Sequence, residues 1–236
     1  MRETFVKALL RGAGEIGINV SEAQADLMVR HAQDILEGNE KAGLTDITEP
    51  EAMAIKHYVD SLTCLHLMKA SDSLVDVGTG AGLPGIPLKI MIPTIDLTLV
   101  EATMKKARFL EGTLRHLGLE GRVINMRTED YSRGAGRESH DVAVARAVAK
   151  MSVLSEYCLG LVKVGGLFIA MKGPAPELET SRAAHSIRVM GGRVESVEEM
   201  ELPLGFGSRS LVLVRKVAPS PRAYPRKAGT VARKPL

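Results

Sequence analysis

The stretch LVDVGTGAGLPGIP, residues 74 to 87, sets four glycines and two prolines directly behind a short apolar run. A turn that bare follows a buried strand only where something must come close to the backbone without meeting Cβ atoms. In an open parallel sheet such a place lies beyond the carboxyl ends of the strands, at the first strand-to-helix turn. The dinucleotide fingerprint G-x-G-x-x-G would need glycine at position 83, where the chain has Leu83, and the Gly-Lys-Ser/Thr of a P-loop is absent. Both diphosphate readings therefore weaken together.

What stands there is Asp76-Val77-Gly78-Thr79-Gly80-Ala81-Gly82, an acid two residues ahead of G-x-G-x-G. A carboxylate beside the loop would repel a pyrophosphate and can attract or hydrogen-bond a cationic amino-acid group, which fits S-adenosylmethionine. Pro84 and Pro87 have no N–H to donate and suit the first turn of the helix that follows. A second requirement is an acid after the second strand for the ribose hydroxyls, about 20 residues on, and Glu101 in LTLVEAT meets it. In MRTEDYS, Thr128 and Glu129 end the third strand, where backbone and carboxylate could reach the adenine amino group.

From Leu74 onward, strand-like and helix-like runs alternate. The patterning predicts strands near 74–77, 96–101, 122–127, 140–146, 166–172, 193–200 and 209–217, with crossover helices in TMKKARFLEGTLRHLG and MSVLSEYCLGL. Alternation of this kind implies an α/β fold with a mostly parallel seven-stranded sheet. Residues 1–70 read instead as helices that cap the sheet. Ser21 can cap one running toward Gly38, with Leu27, Met28, His31, Ile35 and Leu36 on one stripe. Thr48 and Glu51 form a capping-box pair around Pro50 and would open a second, carrying Ile55, Tyr58, Val59, Leu62 and Leu65. On that helix His57, Asp60 and Ser61 share the face opposite the apolar stripe.

Charge divides the chain unevenly. Seven basic residues and no acid lie between Arg215 and Leu236, leaving 24 basic against 28 acidic residues in positions 1 to 214. With four prolines in it, that ending reads as an extended basic arm suited to a polyanion such as RNA. The organisation expected is a helical extension over 1–70, a catalytic domain over 71–218 and a tail over 219–236. Aromatics make up only 3% with no Trp, so contact with nucleic acid must lean on charge more than on stacking. Cys64 and Cys158 match no metal-ligand spacing and read as reduced thiols; no metal is expected. No run approaches a membrane span, so a soluble, cytoplasmic protein without membrane contact is expected.

The methyl acceptor is constrained by absences. The chain reads ARAVAKM after its fourth strand, without the Asn or Asp, paired prolines and aromatic common in enzymes that methylate exocyclic amines. Neither cysteine is placed as the nucleophile that C5-pyrimidine methylation needs. An acceptor with its own lone pair, such as guanine N7, remains. It requires no strict general base, so catalysis can rest on alignment and exclusion of water. Arg146, Lys172 and Arg209, at or just inside strand ends, are candidates to orient the base or hold phosphate.

These residues resemble a known family, the bacterial 16S ribosomal RNA (guanine-N7) methyltransferases G, also called glucose-inhibited division protein B. The resemblance runs through NEKAGLTDITEPEAMAIKHYVDSL, LVDVGTGAGLPGIPL, KKARFL, ARAVA, AMKG and SRSLVLV in that order, and the basic YPRKAGTVARKP ending is similar too. It implies a Rossmann-like class I methyltransferase fold with an added helical amino-terminal part. The implied reaction moves a methyl from S-adenosyl-L-methionine, leaving S-adenosyl-L-homocysteine, to N7 of one guanine in a decoding-region loop. The implied partner is 16S ribosomal RNA, as RNA, in the 30S subunit or in an assembly intermediate. Carried over by residue, the donor pocket would be formed by Gly78, Gly80, Leu83, Glu101, Thr128, Glu129 and Arg146. Lys172 and Arg209, with His57, Asp60 and Ser61, would serve RNA or methyl transfer. Two other readings stand beside this one: a methyltransferase acting on a small molecule or protein, and a non-enzymatic RNA-binding scaffold.

Overall fold

The computed structural model describes residues 1–227 and 229–236; Ala228, within the basic tail, lies outside them. Seven strands, β1 (Ser73–Val77), β2 (Asp96–Val100), β3 (Arg122–Ile124), β4 (His140–Arg146), β5 (Val162–Lys172), β6 (Gly192–Glu201) and β7 (Ser208–Lys216), make one sheet ordered β3-β2-β1-β4-β5-β7-β6. The first five run parallel, and β7 is antiparallel to both β5 and β6. All seven strands expected from the patterning are present. β3 stops three residues earlier than expected: the Asn125 side chain donates to the Glu101 carbonyl at 2.9 Å and turns the chain off the sheet. The strand order reverses between β1 and β4, which is where such sheets open a ligand crevice.

The helices are α1 (Arg2–Glu15), α2 (Glu22–Ala42), α3 (Pro50–Met53), α4 (Asp60–Leu62), α5 (Gly85–Met91), α6 (Met104–Leu117), α7 (Thr128–Arg133), α8 (Met151–Leu159), α9 (Glu177–Arg182), α10 (Ala184–Val189) and α11 (Thr230–Arg233). Because successive strand residues point to opposite faces, each strand feeds two cores. On one face Leu74, Leu97, Leu99, Val144 and Ile169 pack with Phe5, Leu9, Met28, Ile35 and Tyr58 of the amino-terminal helices. On the other, Val75, Val77, Ala143, Phe168 and Val214 pack with Met151, Leu154, Cys158 and Ile187. The amino-terminal helices therefore share a core with the sheet.

Three local expectations are corrected. Ser21 does cap α2 through a reciprocal pair with Gln24, but the helix runs past Gly38 and ends at Gly43, whose φ is +61°. Gly38 serves packing: a Cβ there would lie 2.9 Å from the Phe109 ring of α6. The cap at Pro50 is not the Thr48/Glu51 box. Glu49 is the capping residue, its carboxylate accepting from Ala52 N at 2.8 Å, and Pro50 takes the first helical position. Finally, the helix beyond Pro50 is not uniform, because a π-helix over Ala54–Val59 separates α3 from α4.

The tail is not a free arm. Glu156, whose side chain is fully buried, receives the Arg226 guanidinium at 2.8 Å and the Arg226 backbone N–H at 2.6 Å. Arg137 donates to the carbonyls of Ser220 and Tyr224 at 2.6 and 2.8 Å. Lys216 is buried too, donating to the carbonyls of Leu159 and Met190 at 2.6 and 2.9 Å. Composition counted Arg226 and Lys216 as available to a polyanion, whereas an acid on α8 holds the first and two helix-end carbonyls hold the second. Both cysteines are free and buried, and burial pushes the Cys64 thiol up to about 12. Among the described residues no helix is long and apolar enough to cross a membrane.

Removing Arg226 leaves the Glu156 carboxylate buried and unpaired, a situation that costs about 3 kcal/mol. Arg226→Ala should therefore lower the thermal midpoint by roughly 6 to 12 °C. A midpoint within 2 °C of the parent would show that the tail is not fastened through this pair.

Candidate functional site

The bare turn leaves β1 at the switch point. Gly78, Gly80 and Gly82 have φ of +66°, +58° and +88°, a conformation that L side chains resist. Their surroundings differ. A Cβ at Gly78 would lie 2.8 Å from Val148 and one at Gly82 2.4 Å from Ile86, whereas at Gly80 nothing comes nearer than a carbonyl at 4.0 Å. Gly78 and Gly82 thus keep the turn tight against its neighbours, and Gly80 presents the open backbone face.

Asp76 does not face a ligand, as the sequence suggested. It is fully buried beneath the turn, where Oδ2 accepts from Thr79 Oγ1 at 2.6 Å and Gly85 N at 2.9 Å. Burial pushes its carboxyl up to about 6, against the pull of those two bonds, and Oδ1 is buried without a partner among the described residues. Asp76 therefore braces the turn from inside. Glu101, the residue just past β2, comes to the turn from outside, accepting from Gly80 N at 3.2 Å and from Thr103 N at 2.7 Å. Thr128 and Glu129 form the first turn of α7, both nearly buried. The Leu83 side chain lies in the core under the amino-terminal helices.

Sequence reasoning missed one support of the turn. His31, assigned to the apolar stripe of α2, places Nε2 2.9 Å from the Ala81 carbonyl. A carbonyl only accepts, so Nε2 carries the proton and donates. The ring is fully buried, which lowers its pKa to about 4 and keeps it neutral. Only a polar residue interrupting an apolar stripe hinted at this.

Beside the turn lies a cavity of about 370 Å³, lined among others by Lys56, His57, Asp60, Arg146, Lys172 and Arg209. Strand register gathers the cations. Arg146 ends β4 opposite Met171, and Lys172 ends β5 opposite Ser210, the neighbour of Arg209. Asp60, its side chain only 5% exposed, sits between two guanidiniums: Oδ2 accepts from Arg146 Nη1 at 2.9 Å and Oδ1 from Arg209 Nε at 3.2 Å. Arg146 Nη1 also reaches the carbonyls of Lys56 and His57 at 3.1 and 3.3 Å. Both carbonyls belong to the π-helix, whose wider turns leave acceptors outside the ordinary ladder.

The face expected to hold His57, Asp60 and Ser61 together is thus split, and it is buried. His57 and Asp60 line the cavity, with His57 Nε2 2.8 Å from Thr45 Oγ1. Ser61 is fully buried, and its hydroxyl donates to the His57 carbonyl. Lys172 Nζ donates to Glu179 Oε1 at 2.7 Å and to the Ala149 carbonyl at 3.0 Å. Ala147, on the cavity wall, holds a φ of +56°, a strained conformation for alanine of the sort that collects at functional sites. Among the described residues no group of three or more His, Cys, Asp or Glu could hold a metal ion.

A model of the family described as rRNA small subunit methyltransferase G matches residues 24–212. The chain belongs to this family. Its relatives include proteins named ribosomal RNA small subunit methyltransferase G from Pelotomaculum thermopropionicum and Staphylococcus carnosus. The first is 44% identical over 98% of this chain and 99% of its own. The second is 42% identical over 98% of each. Among solved structures, TYW2 of Pyrococcus horikoshii in complex with MeSAdo superposes with a TM-score of 0.53 at 17% identity, covering 67% of this chain and 61% of its own. Precorrin-6y C5,15-methyltransferase of Geobacter metallireducens gives 0.52 at 13% identity, over 76% and 96%. These likenesses, with the sheet order, establish the Rossmann-like class I methyltransferase fold.

Burial lowers the pKa values of His31, His57 and His140 to about 4, so between pH 6.5 and 4 the unfolded chain binds protons that the folded one refuses. Stability contributed by these rings is complete above pH 6.5 and is lost as pH falls toward 4. Asp76, raised to about 6, acts with the opposite sign between pH 3.8 and 6, but it is one group against three. The denaturant midpoint should accordingly drop between pH 7 and pH 4.5. A flat profile over that interval would contradict neutral burial of the three imidazoles.

Proposed function

We propose that this protein is an S-adenosyl-L-methionine-dependent methyltransferase of 16S ribosomal RNA that modifies guanine N7. What carries the reading is the pairing of the bare turn at Gly80 with an adjoining cavity whose arginines are counterbalanced by Asp60. Family membership supports the RNA substrate. The residues present fit the donor: open backbone at Gly80, a carboxylate at Glu101 with lone pairs for two ribose hydroxyls, and the first turn of α7 at Thr128 and Glu129 for the adenine.

The bound donor supplies an electrophilic methyl on a sulfonium sulfur, which the N7 lone pair takes in line as the sulfur departs as a neutral thioether. N7 carries no proton at neutral pH, and the cavity fits a reaction without a general base. Its one imidazole, His57, is made a weak base by burial, which lowers its pKa to about 4, and its Nε2 is engaged with the Thr45 hydroxyl. As the base gains positive charge, unopposed arginines nearby would raise the barrier. Asp60 accepts from both, so Arg146 and Arg209 can donate to O6 or a phosphate while their field on the base is reduced. Lys56 and Lys172 complete the polar wall, and Ile47 and Met171 give the apolar surface that excludes water.

The decisive measurement is transfer of a labelled methyl to small subunits, or to their RNA, from cells lacking the activity, followed by digestion to nucleosides. The label should appear in 7-methylguanosine. Label on an exocyclic amine would overturn the acceptor assignment. In the same assay Gly80→Ala, which fills the open face and strains the turn, should weaken donor binding about tenfold or more, equivalent to ~1.4 kcal/mol. Asp60→Asn should lower kcat by a similar factor with donor affinity little changed; equal losses in both would argue for a merely structural aspartate.

A further inference from the structure

A second cleft, of about 620 Å³, adjoins the cavity just described, and Lys172 lines both. We infer that this cleft, between the start of α8 and α9, is a subsite for the phosphodiester and ribose of a nucleotide flanking the target guanine. The inference rests on the RNA substrate proposed above and adds where the strand next to the target runs.

The charge of the cleft points to an anion. Lys150 and Arg182 are exposed on its walls, and among the described residues neither forms an ion pair. Its one acid, Glu179, already accepts from Lys172 Nζ at 2.7 Å and Met151 N at 2.5 Å, so the carboxylate opposes an incoming phosphate far less than a free one would. Two unpaired cations thus remain beside one neutralised lysine–glutamate pair. The apolar part of the lining points to a sugar or base edge alongside the phosphate. Leu178, which lines the cleft, is 62% exposed, more than any other large apolar side chain described.

Backbone strain supplies an independent observation. Among the described residues four non-glycine positions have left-handed φ: Glu138, Ala147, Ala175 and Leu204. Ala147 lines the acceptor cavity and Ala175 lines this cleft, so half of the strained positions wall two contiguous hollows. Such conformations persist where the surrounding structure enforces them, characteristically at ligand sites. Continuity through one lysine favours a polymer threading both hollows over two unrelated small ligands, and an RNA strand is the polyanion whose base and neighbouring phosphate would fill them together.

The test is the double variant Lys150→Gln/Arg182→Gln in the full chain. Both residues are exposed and lie outside the donor site, so folding and donor affinity, followed by calorimetry, should match the parent. Methyl transfer to small-subunit RNA should show KM raised roughly tenfold with kcat retained. The slope of log KM against log salt should flatten by about 0.7, the loss of one neutralised phosphate on a single strand. Arg188→Gln/Arg193→Gln, removing the same charge near the opposite, amino-terminal edge of β6, is the control and should leave KM unchanged. Parental KM and salt slope in the first variant, or equal shifts in the control, would overturn the subsite while leaving RNA methylation by the parent protein standing. Failure of the parent to label RNA at all would sink both.

Discussion

Asp60 is the contact on which the geometry of the site depends. Its carboxylate joins three parts of the chain that are distant in sequence: the helical segment after Pro50, the end of β4 through Arg146 and the start of β7 through Arg209. Desolvating a carboxylate is expensive, and one ion pair in a low-dielectric setting roughly breaks even. Two guanidiniums, with further donors satisfied by the Lys56 and His57 carbonyls, make the cluster complete enough to hold its shape. The arrangement also regulates charge. In the proposed reaction the arginines would hold RNA while positive charge develops on the base, and a shared counter-ion would reconcile the two demands.

The glycine turn is built on the same plan of support from behind. Asp76 holds it from beneath through Thr79 and Gly85, Glu101 meets Gly80 from the β2 side, and His31 holds Ala81 from α2. Two of these groups carry pKa values displaced by burial, which is the cost of placing polar anchors in a core. The amino-terminal helices are consequently more than a lid over apolar strands. Through His31 they touch the turn, and through Asp60 they set the neighbouring cavity.

Much of this was legible in advance because it depends on local pattern. Short strand-like runs alternating with helical ones located all seven strands, and the central ones are near-continuously apolar because both faces of the sheet are covered. Glycine spacing located the turn, since only glycine adopts positive φ there without strain. Distance along the chain singled out Glu101 as a candidate, and its carboxylate meets the turn at Gly80 N. Where the reading went astray, the deciding partner was remote. Gly38 looked like a helix stop until Phe109 explained it as a close contact. Asp76 looked like a ligand group until the turn folded over it. Glu49 displaced the expected cap by one residue because Pro50 fixes where the first turn begins.

By itself the sequence determined the α/β class, the strand positions, the bare turn and the list of residues able to do chemistry, because backbone preference and hydrophobic periodicity act within a few residues. Tertiary structure decided which of those residues meet. The π-helix turned His57 and Asp60 into the cavity and left Ser61 in the helix, register brought Arg146, Lys172 and Arg209 to one edge, and Glu156 drew the basic tail onto the body. A buried charge selects its partner by geometry and desolvation across the whole fold, and neither quantity is written in the order of neighbouring residues.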